Sequence, residues 1–188
     1  MRGHGVPRRV RRRGAHLPPA PHPLGGAAPG GYGRRGVDDA GLSTGLEVRP
    51  ARPDELGPCA DLYVRVLRAT FTWLPAERHR REEFLSAARE EEVYVAVEDG
   101  VILGVAAVYR PQNFLHSLYV ERRGKGVGKA LLDHVLALAT GPLSLKVQAP
   151  NRRAQHFYAR EGFTCVEMGR DPGSEVAWMR LVKDRPAS

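Results

Sequence analysis

Leu118-Tyr119-Val120-Glu121-Arg122-Arg123-Gly124-Lys125-Gly126-Val127-Gly128-Lys129-Ala130-Leu131-Leu132 decides the reading of this chain. An apolar run suited to a strand passes into a glycine-rich loop and then into an amphipathic helix. Glycines let backbone N–H groups turn toward one point with no Cβ in the way. A helix start adds unpaired N–H donors and about half a positive charge. Arg123, Lys125 and Lys129 add full charges. The combination predicts a receptor for a phosphate-bearing ligand. Spacing narrows the choice. A nucleotide P-loop needs GxxxxGK and then Ser or Thr, but Arg123 stands at the first glycine and Ala130 at the hydroxyl position. A dinucleotide fingerprint needs GxGxxG, and Lys129 stands at its last glycine. The pattern that fits is Arg123-x-x-Gly126-x-Gly128.

Outward from this stretch the elements alternate. Leu46–Arg49 reads as a half-buried strand closed by Pro50 and Pro53. Asp54 caps a helix to about Ala69, with Leu56, Cys59, Ala60, Tyr63, Val66 and Leu67 on one face. After the aromatic break Phe71–Leu74, Pro75 opens a second helix expected to run to about Glu91. Val93–Val97 and Val101–Tyr109 form a hairpin across Asp99-Gly100. Phe114–Val120 is a strand. Gly126 to Thr140 is a helix whose apolar side is Val127, Leu131, His134, Val135 and Leu138. Leu143–Val147 is a strand, Asn151 caps a helix to Glu161, and Phe163–Met168 and Glu175–Leu181 close the domain. The order predicts a mixed α/β (α+β) domain around one sheet.

A second motif follows at the expected separation: Asn151-Arg152-Arg153-Ala154-Gln155-His156-Phe157-Tyr158-Ala159-Arg160-Glu161-Gly162-Phe163. With this pair of motifs the sequence resembles the GNAT superfamily of acetyl-CoA-dependent N-acetyltransferases over residues 46–183. That family carries Gln/Arg-x-x-Gly-x-Gly/Ala around the coenzyme A pyrophosphate, and N-x-x-A-x-x-[F or L]-Y-x-x-x-G-F in the later helix. The resemblance implies a mainly antiparallel sheet of six to seven strands flanked by about four helices. In this chain only Glu121 and Arg122 separate Val120 from Arg123, a shorter connection than the family's usual one.

The resemblance also implies roles. The amide groups of Arg123, Gly124, Lys125, Gly126, Val127, Gly128 and Lys129 would hold the pyrophosphate of acetyl-CoA, the co-substrate; no metal is called for. Backbone at Leu118 and Val120 would pair with the pantetheine arm and present N–H to the thioester. Asn151 would reach the pantetheine amide as well as cap its helix. Tyr158 is the expected general acid for the departing thiol. A buried core phenol is the alternative for Tyr158, and solvated side chains are the alternative for Lys125 and Lys129. The base candidates are His116, which strand alternation places on the face of Phe114, Leu118 and Val120, and Glu121 at the strand end. Trp73 either lines the acceptor pocket or packs.

Composition sets the frame around this site. The chain has 188 residues, 42% apolar and 27% charged, with a formal net charge of +8. Residues 1–45 hold eight Arg against Asp38 and Asp39, a balance of +6. They also hold 11 of 21 Gly and 6 of 15 Pro. Such an arm cannot bury enough apolar surface to offset the entropy of ordering, so it is expected to be disordered. The domain then occupies 46–183 and a short tail 184–188. Cys59 and Cys165 form neither a disulfide framework nor a zinc motif, which fits a reducing cytoplasm. No apolar run reaches membrane length, and the twin Arg8-Arg9 is followed by no signal-like apolar stretch. The acceptor is expected to be a small-molecule or protein amine, and a homodimer is compatible with the sequence. The competing readings are a non-catalytic acyl-CoA-binding module and a nucleic-acid-binding module using the Arg8–Arg13 run. Nucleic acid is disfavoured because no aromatic is interleaved for base stacking.

Overall fold

In the computed structural model residues 45–184 are described. The expected arm and tail, and with them the Arg8–Arg13 run, lie outside the described residues. β1 (Glu47–Pro50), β2 (Glu92–Glu98), β3 (Val101–Tyr109), β4 (Phe114–Val120), β5 (Leu143–Gln148), β6 (Thr164–Arg170) and β7 (Ala177–Lys183) form one sheet. Their order is β1-β2-β3-β4-β5-β7-β6. All neighbours pair antiparallel except β4 and β5, which are parallel. The helices are α1 (Leu56–Thr70), α2 (Arg81–Ala87), α3 (Val127–Ala137) and α4 (Arg152–Arg160).

Local chemistry accounts for most of these boundaries. Asp99 and Gly100 both have positive φ, the conformation that a tight two-residue hairpin demands. Asn151 caps α4 by accepting a hydrogen bond from the Ala154 N–H at 3.2 Å. The α1 face built on Cys59, Ala60, Tyr63, Val66 and Leu67 is buried, and Leu62 joins it. Gly104 of β3 lies under α3. A Cβ there would stand 2.9 Å from Leu131 Cδ1 and 3.0 Å from the Tyr119 carbonyl, so the glycine sets how closely α3 seats on the sheet.

Two expectations are corrected. The continuous helix from Pro75 to Glu91 is instead a 3-10 turn, Ala76–Arg78, followed by the shorter α2. The dense charge of this segment leaves Phe84 as the buried residue of α2, too little apolar face to hold a longer helix against the core. Leu138 is 47% exposed because α3 ends at Ala137, before the expected apolar stripe is complete.

One departure from regular pairing positions the site. β4 and β5 are in register only at Phe114↔Ser144, so the two strands splay apart beyond that point. The register of β4 against β3 also shifts: Ala107 faces Ser117, but Val108 faces Leu115. His116 is the extra residue of this bulge.

Candidate active site in the splay between β4 and β5

The splay opens a cleft of about 340 Å³. Leu118, Val120, Arg123, Gly124, Gly126, Val127, Gly128 and Lys129 line it, together with Tyr158. The two sequence motifs therefore converge on one cavity. Lys125 is exposed and does not line it. Asn151 is buried as the α4 cap and is not part of the lining either.

The loop is shaped for an anion. Gly124 and Gly126 have φ of +76° and +77°, and a Cβ built at either would meet nothing within 4 Å. Gly126 also caps α3, and its carbonyl accepts from the Ala130 N–H at 2.9 Å. The helix start thus faces open cleft rather than packed protein. Charge reinforces this. Arg122, Arg123, Lys129 and Arg160 line the cavity, with Glu161 as the acidic counterpart. Burial and the neighbouring Arg153 guanidinium pull Arg123 below the usual arginine range. Two guanidiniums held near each other are relieved by a bound anion. Arg123 Nη2 meanwhile donates to Thr70 Oγ1 at 2.8 Å, and Lys129 Nζ donates to both Asp133 oxygens at 2.9 and 3.0 Å.

Tyr158 lines the cleft, 1% exposed, with Phe157 at 5.1 Å and Phe163 at 5.3 Å between ring centroids. Burial pushes its phenol well above the ordinary tyrosine range, so it is protonated at neutral pH.

The bulge corrects the expected placing of His116. Leu118 pairs Ala106, which pairs Tyr94, and the Tyr94 ring packs on His134 of α3. Leu118 and Val120 therefore belong to the α3 face. Tyr119 packs edge-on to Tyr63 of α1, on the opposite face. His116 shares that opposite face. Its ring stands edge-on to Phe114 at 5.2 Å, and its Nδ1 contacts the Glu91 carboxylate beyond α2. The extra residue of the bulge is what breaks the simple alternation. Burial pushes the imidazole down to about 4, while the Glu91 carboxylate opposes that push once a proton arrives.

The other candidates have partners of their own. Glu121 is paired with Arg65 at 2.9 Å. Trp73 packs on Phe71 at 5.0 Å between centroids and donates through Nε1 to Gln148 Oε1 at 2.5 Å, outside the cleft lining. Glu91 and Val66 were not legible beforehand. Glu91 lies inside the charged run Arg89–Glu92 with no distinguishing spacing, and Val66 reads only as α1 core until the cleft forms beside it.

Comparison with known proteins agrees with this geometry. A family model described as the acetyltransferase (GNAT) family matches residues 59–163. Mycothiol acetyltransferase of Propionibacterium freudenreichii is 32% identical over 156 residues, covering 68% of this chain and 46% of its own length. The chain thus spans about half of that relative. Peptidyl-lysine N-acetyltransferase YjaB of Salmonella typhimurium is 31% identical over 122 residues, covering 63% of this chain and 83% of its own. The solution structure of apo-form YjaB from Escherichia coli superposes with a TM-score of 0.62 at 26% identity, over 73% of this chain and 96% of that one. Among the described residues no group of His, Cys, Asp and Glu is placed to hold a metal, and no helix is long and apolar enough to cross a membrane. By its matched motifs, its sheet order and these relatives, the chain belongs to the acetyltransferase (GNAT) family.

Proposed function

We propose that this chain transfers the acetyl group of acetyl-CoA to a primary amine by direct attack. The observation that carries the reading is that one cleft is lined both by an open, positive-φ glycine loop and by a buried phenol. The loop from Arg123 to Lys129 cradles the diphosphate on N–H groups, with Arg122, Arg123 and Arg160 supplying charge. Beyond Phe114 the outer edge of β4 has no β5 partner in the register, which leaves backbone groups at Leu118 and Val120 for the pantetheine and the thioester oxygen.

The chemistry follows from the side chains. The amine nitrogen attacks the thioester carbon, the new C–N bond forms, and the C–S pair leaves on sulfur. Tyr158 gives its proton to that sulfur. His116 takes the proton from the amine, directly or through a water. The Glu91 carboxylate accepts from Nδ1–H, which leaves the Nε2 lone pair as the basic site. The bulge puts His116 on the α1 face, opposite the side from which α3 presents the diphosphate, so base and cofactor approach the strand from two sides. The relatives' names include a mycothiol acetyltransferase and a peptidyl-lysine acetyltransferase, so both a small-molecule and a protein amine are carried as acceptor classes. Cys59 and Cys165 are both free, which supports a reducing compartment such as the cytoplasm.

The test is an amine screen with acetyl-CoA, read by release of free thiol. Small amines and lysine peptides are the two arms. Amine-dependent thiol release supports the reading; release no faster than hydrolysis with every amine rejects it.

A further inference from the structure

The cations that line the cleft differ in how much charge they can give a ligand. Lys129 Nζ is paired with Asp133 at 2.9 Å and with Glu161 at 3.5 Å. Arg160 Nε lies 3.7 Å from the same Glu161, and its side chain is 71% exposed. Arg122 is exposed to solvent, which screens it. Arg123 is drawn inward: it is half-buried between two exposed neighbours, Arg122 and Gly124. Among the described residues it forms no ion pair. Its Nη2 donates instead to a neutral oxygen, the Thr70 hydroxyl, at 2.8 Å.

Thr70 is the last residue of α1. It follows Val66 by four residues, so the two share one helix face, and Val66 lines the cleft. The hydroxyl thus reaches Arg123 from the cleft side of α1. The negative end of the α1 dipole lies at the same place and favours a cation there without cancelling its charge. A guanidinium has more N–H donors than this one bond uses, so the rest stay available to an anion. Fixing the long side chain in advance spares the ligand the entropy of ordering it. A carboxylate at position 70 would hold the guanidinium as firmly, but it would also spend the charge.

We propose that Thr70 is a positioning residue for the anion site: its hydroxyl fixes the Arg123 guanidinium at the cleft and, being neutral, leaves the full positive charge for the diphosphate of the bound cofactor. This rests on the reading of the loop at 123–129 as a diphosphate cradle. It does not depend on which amine accepts the acetyl group.

Calorimetry of coenzyme A binding to full-chain variants is the test. T70V keeps the side-chain shape and removes the oxygen. Its affinity is expected to fall about tenfold, the share of one hydrogen bond to a charged group. T70S restores the oxygen and binds near wild type. T70D binds more weakly than T70V, because the new carboxylate takes the charge. A double-mutant cycle with R123A supplies the readout that a merely structural role would not move. In the R123A background, T70V costs no further affinity. Thermal melts of each variant report folding separately. The proposal is overturned by a T70V that binds coenzyme A like wild type, by a T70V loss that persists undiminished in R123A, or by a T70D that binds at least as tightly as T70V. If R123A weakens binding and T70V does not, the proposal alone fails. If R123A itself binds like wild type, the cradle reading fails and the proposal with it. If the cycle shows the coupling but no amine releases thiol from wild type, the acetyl-transfer reading fails and the positioning of Arg123 stands.

Discussion

Gly126→Ala separates the folding role of the loop from its binding role, and a second glycine supplies the control. Gly126 and Gly100 share a φ of +77°, and a Cβ at either meets nothing within 4 Å. Alanine at either position therefore carries the same left-handed backbone cost, about 1–2 kcal/mol, with no steric clash to add. Both variants are expected to lose about 3–6 °C in Tm. Their ligand effects differ. Gly100 sits in the β2–β3 hairpin, whereas the space beside Gly126 is the cleft itself. A methyl group there displaces the diphosphate from at least one charge-assisted N–H bond, each worth about 1.5–3 kcal/mol, so affinity for coenzyme A falls about 10- to 100-fold. Calorimetric titration of the two variants beside wild type measures this. G100A binds coenzyme A like wild type. Equal affinity in G126A, or a loss in G100A as large as that in G126A, refutes the cradle.

Y158F lowers kcat by about 100-fold or more and leaves coenzyme A affinity near wild type, read by thiol release and calorimetry. H116Q lowers kcat/KM for the amine with little change in acetyl-CoA binding. In wild type the acid limb of kcat/KM reports His116, which burial pushes below the ordinary histidine range and the Glu91 carboxylate pulls back up; an acid limb unchanged in H116Q removes His116 from the role. Glu55 binds Arg49 through both oxygens at 2.7 and 2.8 Å and accepts from the Arg52 N–H, and the Arg49 contact first holds its carboxyl down to about 2 from the usual 4.5. The folded state thus favours the ionised form, so the stabilisation is full above pH 4.5 and is lost as pH falls toward 2. E55Q has a lower Tm than wild type at pH 7, and thermal melts across this window show the gap closing.

The two motifs were readable because each encodes a local conformation. Gly126 supplies a positive φ, Asn151 a cap, and Asp99-Gly100 a hairpin, and none of these depends on distant residues. β3 and β4 were also placed to the residue, since apolar runs bounded by turn chemistry fix their ends. What failed was set by tertiary structure. The bulge that turns His116 to the α1 face arises from the pairing of β4 with β3, and no residue in Phe114–Val120 announces it. Glu91 became a site candidate only when the end of α2 came against β4. The sequence overextends the second helix because its charges suit a helix surface, while its burial depends on a core face that Phe84 supplies nearly alone. The spacing marks Arg123 as a phosphate ligand, but its hydrogen bond to Thr70, which ties the loop to the end of α1, has no trace in local spacing.

The central claim is that one ligand runs from the loop at 123–129 to the phenol at 158. A crystal structure of the full chain with coenzyme A tests it most directly. The account predicts diphosphate oxygens on the amides that follow Arg123 and the thiol sulfur within hydrogen-bonding reach of the Tyr158 hydroxyl. A diphosphate bound elsewhere, or a sulfur that leaves Tyr158 without contact, contradicts it.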